Sequence, residues 1–248
     1  MSKWSIVIVL ALLSAPCLAQ TAQVKPGEVV PSEDALIPDL HSLGLINGQV
    51  NIFRCGCPME EIVKQNEIAT QPVDDLLPQA EVRMARLYEL GIRTIISFQA
   101  PGVDNEGKAK RLAQEVALEK QACKDVGIDY IARPIGNNGP NSVETMSDEE
   151  VLKWLQETSD EIFDAAKTGG VAIHCSAGHD RTGIVCAYLR MKYEHWPVDQ
   201  AIAEMRRYGH NWIKFSNDGG KTSWHEQHLR AIAKMLEQDQ STAAPAAQ

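Results

Sequence analysis

The sequence predicts an α/β fold in three layers: a central, mostly parallel sheet of four to five strands with helices on both faces. Three observations carry this. Short β-branched runs such as residues 94–98 alternate with longer amphipathic stretches, the pattern of strands crossed over by helices. Gly91 and Gly127 close two of the helical stretches just before the next strand, a common helix stop. Finally, the apolar run Val171-Ala172-Ile173 passes through a loop of small and polar residues straight into a helix-like stretch over 184–193.

The elements follow in order. Residues 20–48 are rich in proline, glycine and acids and read as an extended lead-in. Residues 50–53 form a first strand, 72–78 a loop between two prolines, and 81–90 a helix ended by Gly91. Residues 94–98 are a short buried strand, 107–126 a long amphipathic helix, and 129–132 a third strand. Ser147 with Glu150 has the spacing of a capping box and opens a helix reaching about Lys167. Thr168-Gly169-Gly170 turns into the strand at Val171. Helices follow over 182–193, 197–208 and 222–238, the last after the Asn217-Asp218-Gly219-Gly220 turn. Residues 239–248 are rich in Ala, Gln and Pro and read as a disordered tail. No internal repeat is present.

The chain has 248 residues, of which 44% are hydrophobic. That suits one domain, placed at 49–238, with a sizeable core. Lys3, an apolar run over 6–13 and Ser14-Ala15-Pro16-Cys17-Leu18-Ala19 match a secretory signal peptide. Cleavage is expected near Ala19, with export to the periplasm or beyond and no stable membrane span afterwards. The apolar run is shorter than the ~20 residues a spanning helix needs. Cys17 raises a lipoprotein reading that Pro16 fits poorly; an uncleaved anchor is the remaining alternative. The net charge of −9 and the lack of a basic stripe argue against nucleic acid as partner. Cys55, Cys57, Cys123, Cys175 and Cys186 remain after cleavage. Cys123 and Cys186 lie on apolar helix faces and read as buried thiols. Cys55 and Cys57 either pair or stay reduced. No second ligand pair has zinc spacing, so no metal or other cofactor is expected.

Residues 174–183 carry the chemistry. Cys175 is followed six residues later by Arg181, then Thr182-Gly183. A strand, a tight loop and a helix aim successive N–H groups at one anion. A thiolate in that cradle can attack phosphorus, and a guanidinium can hold the equatorial oxygens. Ser176, Ala177, Gly178, His179, Asp180 and Arg181 would line the phosphate.

His174-Cys175 with Arg181-Thr182-Gly183 resembles the signature of the cysteine-dependent protein tyrosine and dual-specificity phosphatases. Upstream, residues 51–58, with Arg54 and Pro58, resemble the opening strand of small bacterial and fungal members. Residues 87–97 resemble their helix-to-strand step around Gly91. These landmarks cover roughly residues 49–207. The resemblance implies a dual-specificity-phosphatase-like sheet and a phosphomonoesterase. Its substrates would be a phosphorylated protein, phosphotyrosine above all, or a small phosphoester. It further implies Cys175 as nucleophile, Thr182 steadying the sulfur as leaving group, and His174 orienting the loop.

The general acid departs from that pattern. The resemblance implies an Asp on the loop after the third strand, but that loop carries Asn137 and Asn138. Asn cannot donate an acid proton; the two could still hydrogen-bond substrate. Asp180, inside the signature, is the first alternative, with Asp148 and Asp104 behind it. An Asp there resembles phosphoinositide-directed members, although His179 stands where lysine is common. A phosphoinositide or inositol-phosphate phosphatase is therefore the rival reading, and a non-catalytic phosphate-binding module the next. An arsenate reductase or rhodanese fits Thr182-Gly183 poorly. His225 and His228 lie three apart and read as a solvated face rather than a metal pair. Tyr208, Trp212, Phe215 and Trp224 read as a C-terminal packing cluster.

Overall fold

A computed structural model describes residues 36–65, 72–100, 106–137, 142–211, 213–216, 219 and 221–243. The leader 1–19, most of the lead-in, Asp104, Asn138, Trp212 and the end of the tail lie outside the described residues.

Five strands form one sheet in the order β1-β2-β5-β3-β4. They are β1 (His41–Ile46), β2 (Val50–Cys55), β3 (Ile92–Ser97), β4 (Asp129–Ala132) and β5 (Gly170–His174). The pairs β2·β5, β5·β3 and β3·β4 are parallel. Only β1 runs antiparallel, beside β2. All five residues of β5 are buried, as expected of a central strand covered on both faces.

The edge hairpin is not foreseen in sequence, because β1 falls in the stretch read as lead-in. Its turn is Asn47-Gly48, both with positive φ (53° and 67°). That dipeptide is the strongest short hairpin signal.

Helices fill the two outer layers. On one face pack α1 (Glu60–Gln65), α2 (Val73–Glu89) and α3 (Glu106–Val126), against a core containing Met59, Met84, Leu87, Ile95 and Leu118. The other face carries α4 (Asp148–Ala165), α5 (Asp180–Glu194), α6 (Val198–Arg207) and α7 (Trp224–Ala243), around Ile96, Ile173, Leu155, Val185 and Ile232. Helix α2 begins eight residues before the expected start. Pro72 is its N-cap residue and Pro78 stands inside it. At the helix boundary a missing N–H is harmless, while inside it costs one hydrogen bond. Helix α4 starts as expected: Glu150 N–H donates to Ser147 Oγ and Ser147 N–H to Glu150 Oε2.

Helix α5 is the pivot of the fold. Residues 182–191 are all buried, the mark of a helix running through a core rather than over it. Gly183 lets α6 approach, since a Cβ there would lie 2.6 Å from Met205 Cγ. Arg190, 1% exposed, ties α5 to α6 through Glu204 and to β1 through the Leu43 carbonyl. Removing one partner of such a buried pair costs about 3–5 kcal/mol.

Candidate active site

The strand order places the C-terminal ends of β2, β5 and β3 side by side. In open α/β sheets this edge is where ligands bind. Here β5 ends at His174 and α5 begins at Asp180, so residues 175–179 form a tight loop above the sheet. Residues 176–182 donate none of the backbone–backbone hydrogen bonds among the described residues. Such a run of N–H groups without backbone partners at a helix start is an anion cradle.

The neighbouring strand end braces the loop from below. Arg54, 1% exposed, donates from Nη2 to the Gly178 carbonyl at 2.6 Å. Cys57 N–H donates to the Ser176 carbonyl at 2.7 Å. Gly178 has φ +74°, and a Cβ there would lie 2.4 Å from the Cys55 carbonyl oxygen. Only glycine meets both conditions. Ser176 Oγ reaches Glu60 Oε2 at 3.5 Å, and Ala177 is exposed at the rim.

Cys175 is 3% exposed. Burial alone would raise its thiol. The Arg181 guanidinium, then the Thr182 hydroxyl and N–H, outweigh burial and hold it below the ordinary thiol value, with Asp180 opposing them. Among the described residues the buried Thr182 hydroxyl makes no hydrogen bond to nitrogen or oxygen. Arg181 is aimed by backbone carbonyls at two strand ends: Nη1 donates to Phe98 at 3.0 Å and to Ile135 at 3.3 Å. Its Nε is buried without a hydrogen-bond partner among the described residues. An unpaired guanidinium N–H beside a thiolate cradle is a donor set awaiting an oxyanion.

Asp180, the expected acid, occupies the first turn of α5. Its Oδ1 lies 2.6 Å from His210 Nδ1 and accepts from Asn211 N–H at 3.1 Å. Burial would raise the carboxyl. The His210 hydrogen bond and charge, with the Asn211 N–H, hold it below the usual carboxylate value instead. His210 Nε2 meets Ser223 Oγ at 2.7 Å, so the segment before α7 fastens the loop. Asp148 faces His228 Nδ1 at 2.6 Å at the start of α4.

The remaining candidates are placed as follows. His179 packs over Gly209, with Nε2 3.4 Å from Asp39. Asn137 lies beyond Ile135, with Oδ1 3.2 Å from His225 Nε2. His225 is 0% exposed, so the reading of a solvated face is corrected. Burial, then the neighbouring His210, pushes its imidazole down to about 3, and the ring is neutral. Tyr208 leaves the expected aromatic cluster: it carries Arg54 on its face at 4.4 Å, while Phe215 and Trp224 pack together at 5.9 Å. All five cysteines described are free and buried, Cys55 and Cys57 included.

Arg54, His210, Ser223 and Glu119 are the contributors that sequence reasoning missed. Glu119 Oε1 lies 3.0 Å from His174 Nε2, and both side chains are fully buried. Arg54 alone had a signal, as the charged residue of a mostly apolar strand within the resemblance over residues 51–58.

Residues 109–217 match the family model described as the catalytic domain of dual specificity phosphatases. The dual specificity protein phosphatase TpbA of Pseudomonas aeruginosa (strain UCBPP-PA14) is 33% identical over 70 residues, 28% of this chain. The chain spans 30% of that relative's length in this match. Among solved structures, P. aeruginosa TpbA has a TM-score of 0.48 at 17% identity, covering 85% of this chain and 99% of its own. Kinase associated phosphatase with its catalytic cysteine changed to serine gives 0.48 at 19%, covering 81% and 97%.

Proposed function

We propose that this chain, a member of the cysteine-dependent phosphatase superfamily, hydrolyses phosphomonoesters, with phosphotyrosine in proteins as the first substrate class. One observation carries the proposal: a thiol held low, beside a guanidinium with an unpaired buried N–H, above N–H groups free of backbone partners. The Cys175 thiolate attacks phosphorus and forms an S–P bond. The ester P–O bond breaks and its oxygen leaves as the phenolate, which takes its proton from solvent. Water then attacks the phosphocysteine, the S–P bond breaks, and inorganic phosphate departs as the thiolate returns. Arg181 tightens on the equatorial oxygens as charge spreads over them. The Thr182 hydroxyl steadies the departing sulfur.

Asp180 is engaged as a brace, so aryl esters are favoured; a phenolate needs the least help from an acid. This supports phosphotyrosine over phosphoserine. The phosphoinositide reading draws less support, because His179 is already engaged with Asp39 and Gly209. The pattern of residues 1–19 adds the proposal that the enzyme acts outside the cytoplasm. Phosphate release from a phosphotyrosine peptide by wild type, and none by Cys175→Ser that still binds the peptide, is the expected result. Binding without release by wild type would favour the phosphate-binding module.

A further inference from the structure

His174 sits between the nucleophile and a carboxylate, and its two nitrogens face different groups. Nδ1 lies 2.9 Å from the Cys175 carbonyl oxygen. A carbonyl only accepts, so Nδ1 carries a hydrogen. In a neutral ring Nε2 would then be a bare acceptor. Yet Nε2 lies 3.0 Å from Glu119 Oε1, an ion-pair distance, although off the line of a hydrogen bond. Two bare acceptors this close would repel, so one of the pair carries a proton, and both side chains are 0% exposed. We infer that Glu119 is a positioning residue: it keeps His174 protonated on both ring nitrogens, so that an imidazolium grips the Cys175 carbonyl and turns its positive edge toward the nucleophile.

The surroundings support the assignment. From β2 and the turn after it come Cys55 and Cys57; Cys57 Sγ lies within 4.8 Å of the His174 and Glu119 ligand atoms. Cys123 lies one turn along α3, and Tyr130 comes from β4. Burial keeps all four groups protonated and neutral. Glu115, one turn earlier on α3, is engaged by Gln99 and Arg111. Arg54 is engaged by the Gly178 carbonyl, while Arg181 and Asp180 lie beyond the loop on α5. His174 is thus the cation within reach of Glu119 among the described ion pairs. The order is carboxylate, imidazole, Cys175 carbonyl, so the positive end of the pair faces the backbone of the nucleophile. Burial penalises the imidazolium, but Glu119 and the Cys175 carbonyl more than compensate and raise His174 above its ordinary value.

This deepens the proposed function and rests on Cys175 being the nucleophile, but its test needs no turnover. The rate of Cys175 alkylation by iodoacetamide, followed against pH, reports the thiolate directly. In Glu119→Gln the ring loses its second proton, and about tenfold less thiolate is expected at pH 6, a shift of one pKa unit. An alkylation midpoint that stays in place or moves to lower pH in a folded variant overturns the inference. Nitrogen NMR of His174 in wild type supplies the second arm, which stands even if the variant fails to fold. Two protonated ring nitrogens at pH 7.5 are expected; a neutral ring there overturns it. If alkylation behaves as expected but phosphate is never released, the phosphatase reading fails while the pair stands.

Discussion

Replacing Arg181 by lysine keeps the charge and removes the planar fork. Lysine cannot span the Phe98 and Ile135 carbonyls while offering a donor to phosphate. We expect kcat to fall about 100-fold or more, the scale of losing one transition-state donor, with Tm little changed. Asp180→Asn tests the brace. Because His210 and Asn211 engage Asp180 and lower its carboxyl, the substitution should slow aryl and alkyl phosphates alike and leave the basic limb of the pH–rate profile in place. A selective loss on alkyl phosphates, with that limb removed, would restore Asp180 as the acid. At Gly178 a methyl group would meet the Cys55 carbonyl, so Gly178→Ala should abolish phosphate binding in isothermal calorimetry.

The elements that frame the site were legible because they are long or strongly patterned. Helices α3 to α7 declared themselves through apolar periodicity, glycine stops and the capping box at Ser147. Strands β2 to β5 did so through short β-branched runs. Strand β1 and helix α1 were hidden, each only six residues long, too short for periodicity to speak. The braces of the site were harder still. The pairings of Glu119 with His174 and of His210 with Asp180 join residues 55 and 30 positions apart. Nothing local marks such pairs, whereas the contiguous loop around Cys175 carries its chemistry in one string. Ser147→Ala tests an element that was legible: it should cost about 1 kcal/mol in urea unfolding and leave kcat unchanged.

Across the whole molecule, stability should fall as pH rises through the weakly acidic range. Glu115 is 1% exposed. Burial raises its carboxyl to about 7 from 4.5, with Arg111 and Gln99 pulling the other way. Between those values the folded chain holds the proton and the unfolded chain has released it, so each step up in pH favours unfolding. The loss is about 3 kcal/mol at most and is complete above pH 7. Denaturant unfolding at pH 5 and pH 8 reads it directly; Glu115→Gln should flatten the difference, and an equal slope in the variant would assign it elsewhere. The packing that buries Glu115 also sets β2, β5 and β3 side by side and aligns the Cys175 loop. The central claim is that Cys175 carries the phosphoryl group between ester and water. Rapid acid quench during turnover of an aryl phosphate, followed by peptide mass spectrometry, tests this most directly. A transient phosphate on Cys175, formed within the burst and discharged at the steady-state rate, is the predicted result. Turnover with that cysteine never phosphorylated would contradict it.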